Sequence, residues 1–330
     1  MITQEKNSND SHNSSNFIAK KSLGQNFLHA PHVANVMIHA AHIGHDSVVL
    51  EVGPGKGALT EKIISAKARV VAIEKDDRAM AFLQEKFAEH TKTGQLKLIH
   101  GDILDFDPEN RDMKNNRLTG VNELICGEYI IAANIPYYIT GEFLRKFLES
   151  PCQPKRMVLM VQKEVAKRIT VNTHDTHIAD SKKSHRKSEK ESILSISVKT
   201  YGEPSYITTV PARYFRPVPN VDSAVLLIDN ISKKFFNTDI ATLDEAHHNQ
   251  YKQFEKYFFS VVKAGFAHKR KVLIKNLENI GFSRFSREIL EKMWQERGLS
   301  PKIRAEELTL DDWKAITIAL TNSFPHLTLK

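Results

Sequence analysis

The tetrapeptide Asn134-Ile135-Pro136-Tyr137 closes an apolar run from Tyr129 to Asn134 and gathers two acceptors, a rigid turn and an aromatic face. An exocyclic amine on an aromatic base is a poor nucleophile because its lone pair is delocalised into the ring. Acceptors placed on both of its N–H protons favour a pyramidal nitrogen whose lone pair points at an electrophilic carbon. The side-chain oxygen of Asn134 and the main-chain carbonyl of Ile135 supply such a pair. Pro136 fixes the turn and has no N–H of its own, while Tyr137 offers a π face on which an extruded base can stack. With a sulfonium methyl as the electrophile no strong general base is required, because the leaving group is neutral and the proton can depart after transfer. Asn134, Ile135, Pro136 and Tyr137 are therefore the expected catalytic residues.

A second set of residues has the types and spacing of a nucleoside site. Gly53, Gly55 and Gly57 follow the apolar run Ser47 to Val52 and precede Ala58, Leu59, Ile63 and Ile64 at helical spacing, so the turn lets a ligand approach bare backbone. The G-x-G-x-G spacing differs from the G-x-G-x-x-G that seats a pyrophosphate. Glu74 ends the next apolar run, about twenty residues on, where a carboxylate accepts hydrogen bonds from both ribose hydroxyls. Both NAD and S-adenosylmethionine carry that ribose, so these residues point to a nucleoside without choosing between the two. Asp102, in His100-Gly-Asp102, is placed to accept a hydrogen bond from an adenine amine, although an Asp after a strand is often a cap or turn residue.

The elements that must position these residues alternate. Apolar runs Ser47 to Val52, Ala68 to Glu74, Gln95 to Gly101, Tyr129 to Asn134 and Met157 to Val161 read as strands, and Asp77 to His90, Gly141 to Glu149 and a segment from Lys163 read as helices. Such alternation implies right-handed crossovers and an α/β, mostly parallel, doubly wound sheet. A basic insertion at about 171–192 interrupts the rhythm and reads as a solvated surface loop. Ser195 to Tyr201 and Ser223 to Ile228 are expected as strands flanking a proline-rich loop, Pro204 to Pro219. Residues 1–16 are expected to be a disordered tail, 17–229 the sheet domain, 230–250 a polar linker, and 251–330 a small all-helical domain.

Composition narrows the class. The chain has 330 residues, 41% of them hydrophobic, enough for a proper core. The formal net charge of +8 favours polyanions such as RNA. No apolar stretch approaches a membrane span, and the first sixteen residues lack the apolar core of a signal peptide. Glu5 and Asp10 argue against a transit peptide. With Cys126 and Cys152 alone, neither a disulfide framework nor a Cys/His metal cluster is expected, which fits a reducing cytoplasm.

Taken in order, the segments Lys21-Ser-Leu-Gly-Gln-Asn-Phe-Leu28, Glu51-Val-Gly-Pro-Gly-Lys-Gly57, Glu74, Gly101-Asp102, Ala133-Asn-Ile-Pro-Tyr-Tyr138, Gln162-Lys-Glu-Val165, Val210-Pro211, Phe215 to Ala224, Ala267-His-Lys-Arg-Lys271 and Arg304-Ala-Glu-Glu-Leu308 carry a family resemblance. The chain resembles the KsgA/RsmA family of ribosomal RNA adenine N6,N6-dimethyltransferases from about Lys20 to about Leu310. That resemblance implies a Rossmann-like class I methyltransferase sheet with a C-terminal helical domain. It also implies S-adenosyl-L-methionine as cofactor, contacted by Asn26, Leu28, Gly53, Gly55, Glu74, Asp102 and Asn134. Tyr137 would face the target adenine, and Phe215 would lie close to it. The implied partner is small-subunit rRNA within the assembling small ribosomal subunit, with Lys263, Lys269, Arg270, Lys271 and Lys275 on the face that grips it. A monomer without a membrane partner is expected. The basic insertion departs from the family's short stretch before its Leu-Ser segment. Three other readings stand beside this one: a large-subunit (23S) rRNA adenine methyltransferase of the macrolide-resistance type, a nicotinamide-dependent oxidoreductase, and a non-catalytic assembly factor.

Overall fold

The computed structural model describes residues 19–20, 24–107, 111–112, 117–118, 123–171, 190–236, 245–278 and 287–323. The expected tail 1–16, and 172–189 of the basic insertion, lie outside the described residues.

In chain order the elements are β1 (Phe27–Leu28), α1 (Pro31–Ala40), β2 (Val48–Val52), α2 (Ala58–Ser65), β3 (Arg69–Glu74), α3 (Asp77–Lys86), α4 (Ala88–Lys92), β4 (Leu96–His100), β5 (Arg111–Asp112), β6 (Arg117–Leu118) and β7 (Ile130–Asn134). There follow α5 (Thr140–Glu149), β8 (Arg156–Gln162), α6 (Lys163–Ile169), α7 (Ile193–Tyr201), β9 (Glu203–Val210), β10 (Phe215–Arg216), β11 (Ser223–Asp229), α8 (Glu245–Gly265), α9 (Leu273–Leu277), α10 (Arg287–Glu296) and α11 (Leu310–Ser323).

A seven-stranded sheet runs in the order β4-β3-β2-β7-β8-β11-β9. From β4 to β8 the pairings are parallel, whereas β11 lies antiparallel to both β8 and β9. The parallel strands are nearly continuous apolar runs because both of their faces are covered. Alternate residues feed two cores: Leu50, Val71, Ile131 and Leu159 face one side, and Val49, Val70, Ile130 and Val158 the other. On the first side the core continues without a break into Phe258, Leu273, Trp313 and Leu320 of the C-terminal helices. On α5, Phe143, Leu144, Phe147 and Leu148 are buried on one stripe, each worth roughly 2–3 kcal/mol when removed from water.

The chain winds outward from β2 in both directions, through β3 and β4 on one side and β7 and β8 on the other. The carboxyl ends of β2 and β7 therefore flank a topological switch point, the crevice where open α/β sheets bind ligands.

Three expectations about elements are corrected. Residues 195–201 are helical, not extended. Ser192 caps α7 by accepting the Ser195 N–H at 3.1 Å, and Ser195 Oγ accepts the Ser192 N–H at 2.7 Å. A short apolar run has no period long enough to separate strand from helix, and the cap decides. The proline-rich segment expected as loop is strand β9 over its first part. Pro204 is tolerated there because β9 is an edge strand, paired on one side only with β11. Cys126 and Cys152, expected unpaired, form a disulfide with Cα atoms 4.6 Å apart. They precede the neighbouring strands β7 and β8, so the sheet brings together residues separated by 26 positions in sequence. Within the expected linker 230–250, Phe236 is buried against Phe258 and Phe259, and α8 begins at Glu245.

Candidate active site

At the switch point lies a cavity of about 270 Å³, bounded by the carboxyl ends of β2, β3, β4 and β7 and by the segment Gly24–Leu28. Asn26, Leu28, Gly53, Gly55, Glu74, Asp102, Asn134, Ile135, Pro136 and Tyr137 all line it.

The glycine turn begins at Gly53, whose φ is +64° and whose missing Cβ would meet nothing within 4 Å. Its backbone is therefore open to a ligand. Gly55 is required for a different reason, because a Cβ there, at φ +58°, would stand 2.9 Å from the Phe27 ring. The turn is thus closed against the segment carrying β1, and the cavity inherits its roof from that contact.

Glu74 ends β3 and is almost wholly buried. Its Oε2 accepts the Gly55 N–H at 3.0 Å, and its Oε1 accepts the N–H groups of Lys75 and Asp76, each at 2.9 Å. Burial pushes its carboxyl up from the usual range, while these N–H donors pull it back. The donors fix both oxygens at the cavity wall, with one acceptor site left on Oε2 for a further hydroxyl. For Asp102, burial alone would raise the carboxyl, but the Lys75 ammonium and the Leu104 N–H outweigh it and hold the group below the usual carboxylate range.

Glu51 also lines the cavity, and sequence reasoning gave it no role of its own. It is 1% exposed, its Oε2 is buried without a hydrogen-bond partner among the described residues, and desolvation pushes its carboxyl up to about 8. The available signal was a lone carboxylate in the otherwise apolar strand Val48–Val52. With Glu74 and Asp102 it makes a carboxylate-lined pocket, which suits a cationic nucleoside cofactor with ribose hydroxyls and an ammonium group.

Asn134 ends β7, and its Nδ2 donates to the main-chain carbonyl of Asn26 at 3.0 Å. A carbonyl can only accept, so the NH₂ end of the amide must face Asn26 and the oxygen points away from that carbonyl. Pro136, at φ −54° and ψ 130°, turns the chain into a single 3₁₀ turn over Tyr137–Ile139. Tyr137 is half-buried, and its hydroxyl shares a 2.8 Å hydrogen bond with Ser223 Oγ at the start of β11. Burial pushes its phenol up, so it stays protonated. The ring is therefore pinned at its far edge beside the Asn134 amide. Tyr138, which the sequence did not single out, is 66% exposed and lies against Gly24 at the cavity mouth.

Phe215 is not brought to the cavity. It is fully buried in the second core, and as part of β10 it pairs with Leu28 of β1. An apolar residue in such a segment gains more from the core than from a wet cleft. Its observed part is to hold the strand that carries Leu28.

Comparison with known proteins agrees with this geometry. The model of the family described as ribosomal RNA adenine dimethylase matches residues 16–322. The ribosomal RNA small subunit methyltransferase A of Dehalococcoides mccartyi (strain CBDB1) is 35% identical over 304 residues, covering 91% of this chain and 88% of the relative. Among solved structures, the 23S rRNA methyltransferase ErmE aligns with a TM-score of 0.62 at 21% identity, over 89% of this chain and 99% of that one. A dimethyladenosine transferase from Plasmodium falciparum gives 0.62 at 20% identity, over 90% and 98%. Those two likenesses speak to the fold alone. A family match across nearly the whole chain, on a sheet that places an Asn-Ile-Pro-Tyr turn beside a carboxylate-lined cavity, leaves one conclusion: this chain belongs to the ribosomal RNA adenine dimethylase family.

Proposed function

We propose that the protein dimethylates the N6 amines of two adjacent adenines near the 3′ end of small-subunit rRNA, with S-adenosyl-L-methionine as methyl donor, during assembly of the small subunit in the cytoplasm. The observation that carries this is the Asn134 amide, tied by its nitrogen to the Asn26 carbonyl and so presenting its oxygen beside Tyr137. When bound, the cofactor supplies a methyl on a sulfonium centre whose leaving group is neutral.

The chain's own residues account for the rest. Glu74 accepts from a ribose hydroxyl, Asp102 from the cofactor's adenine amine, and Glu51 faces its cationic end. Asn134 Oδ1 and the Ile135 carbonyl each accept one N–H of the target amine, which localises its lone pair. Tyr137 stacks on the extruded base, with its ring held by Ser223. Alignment and exclusion of water supply most of the acceleration, and the amine proton leaves after transfer. Lys263, Lys269, Arg270, Lys271 and Lys275 are exposed on the C-terminal helices and their connections, where they take the rRNA phosphates. The name borne by the Dehalococcoides relative supports the small subunit over the large one. The protein acts as a monomer on this reading, with residues 17–229 as the methyl-transfer unit and 251–330 as the rRNA-gripping unit.

The test is methyl transfer to unmethylated small and large ribosomal subunits, followed by digestion and mass spectrometry. N6,N6-dimethyladenosine in a two-adenine fragment of small-subunit rRNA is the expected product. Product confined to the large subunit, or none from either, defeats the assignment.

A further inference from the structure

The segment Gly24–Leu28 crosses the carboxyl edge of the sheet from the β3 side to the end of β7 and roofs the cavity. At its far end it is sewn down by the pairing of β1 with β10 and by the His29 N–H donating to the Tyr214 carbonyl at 2.8 Å. At its near end the fastening is Gln25. The Gln25 Nε2 donates to Asp76 Oδ2 at 2.9 Å, and its Oε1 accepts the Lys20 N–H at 2.9 Å. Asp76 is a rigid anchor: its side chain is fully buried, its Oδ1 caps α3 on the Arg78 N–H at 3.2 Å, and its Oδ2 meets the Arg78 guanidinium at 2.6 Å. Between the two fastenings hangs the Asn26 carbonyl that holds the Asn134 amide.

The terminal torsion of an asparagine is soft and roughly two-fold, so nothing intrinsic selects which amide atom faces the cavity. The strap carbonyl selects it. Turned the other way, the amide would oppose two oxygens and offer an N–H donor where the target amine needs an acceptor.

We propose that Gln25 is a positioning residue: by latching the strap to Asp76 it holds the Asn26 carbonyl on Asn134, so that the acceptor oxygen is presented only when the roof of the cavity is closed. This deepens the site described above and rests on that assignment. It also explains why a polar side chain is placed beside a buried carboxylate 51 positions away, where an apolar contact would roof the cavity equally well.

The full chain is used for the test. Gln25→Met keeps the length of the side chain and removes both hydrogen bonds. A second variant, Gln25→Glu, keeps the size and shape of the side chain but sets an acceptor where Nε2 donated, opposite Asp76 Oδ2, and leaves the pairing of Asp76 with Arg78 in place. Two readouts are taken: kcat at saturating cofactor alongside the Kd for S-adenosylhomocysteine, and the NMR signals of the Asn134 side-chain amide, assigned by their loss in Asn134→Asp. In Gln25→Met we expect kcat to fall roughly tenfold, a larger change than that in Kd, with faster hydrogen exchange of the Asn134 amide. Gln25→Glu should lower kcat at least as far as Gln25→Met does, because two acceptors then oppose each other across the latch. The proposal is overturned if either variant leaves kcat and the amide signals unchanged, or if the loss lies wholly in cofactor affinity. Should the parent chain methylate no rRNA, the function assigned to the site fails, and the amide signals still decide whether Gln25 sets Asn134.

Discussion

Replacing Glu51 by Gln should make the folded protein more stable at neutral pH while weakening its hold on the cofactor. The carboxyl is enclosed between β2 and the cavity floor, and desolvation lifts it from 4.5 to about 8. A folded-state value above the unfolded one means that the unfolded chain releases its proton first. The group's contribution is therefore intact below about pH 4.5 and is lost as the pH climbs toward 8. At pH 7 the folded state must keep a proton across roughly 2.5 pH units in which the unfolded chain has given it up, at ~1.4 kcal/mol per unit, or about 3 kcal/mol. A neutral amide of the same shape does not titrate. Urea unfolding of both proteins between pH 4.5 and 8 should then show Glu51→Gln close to the parent at the acid end and gaining steadily, by about 3 kcal/mol at pH 7. Calorimetry with S-adenosylhomocysteine should show the opposite sign, because an ammonium group in the cavity favours the ionised carboxylate that folding disfavours. Parallel stability curves for the two proteins would refute the placement of Glu51 as a strained, ligand-ready carboxylate.

Asn134→Ala should lower methyl transfer by about 10²–10³-fold, as loss of one preorganised acceptor or donor does elsewhere, while filter binding of small subunits stays near the parent value. Gly55→Ala places a Cβ 2.9 Å from the Phe27 ring at a φ of +58°, which should cost ~1–2 kcal/mol in denaturant melts from the backbone alone and raise the Kd for S-adenosylhomocysteine by pushing the strap off the turn. If Lys269, Arg270 and Lys271 contact phosphates, replacing all three by Ala should flatten the dependence of log Kd for rRNA on log salt by roughly 2–3 units, with S-adenosylhomocysteine binding unchanged in calorimetry.

The parallel strands, the helices between them, the glycine turn and the Asn-Ile-Pro-Tyr exit were legible in the sequence, because each is written within a short window. Unbroken apolar runs specify strands covered on both faces, glycines at a strand end specify positive φ, and proline fixes the turn that follows. Short-range pattern failed where two conformations share one pattern. Residues 195–201 are apolar and partly β-branched, yet the Ser192–Ser195 cap makes them a helix.

What only the tertiary structure decided is the environment of those residues. The partner of Asn134 lies 108 positions away at Asn26, that of Tyr137 lies 86 away at Ser223, and that of Gln25 lies 51 away at Asp76. Phe215 stands in a motif with site residues and is buried in the core, whereas Glu51 stands in a core strand and lines the cavity. Residue type and spacing fix what a side chain can do, but burial, desolvation and hydrogen-bond partners depend on which strands the topology sets side by side. Those long-range neighbours decide that the Asn134 amide nitrogen is tied to Asn26 and that the Glu51 carboxyl resists ionisation.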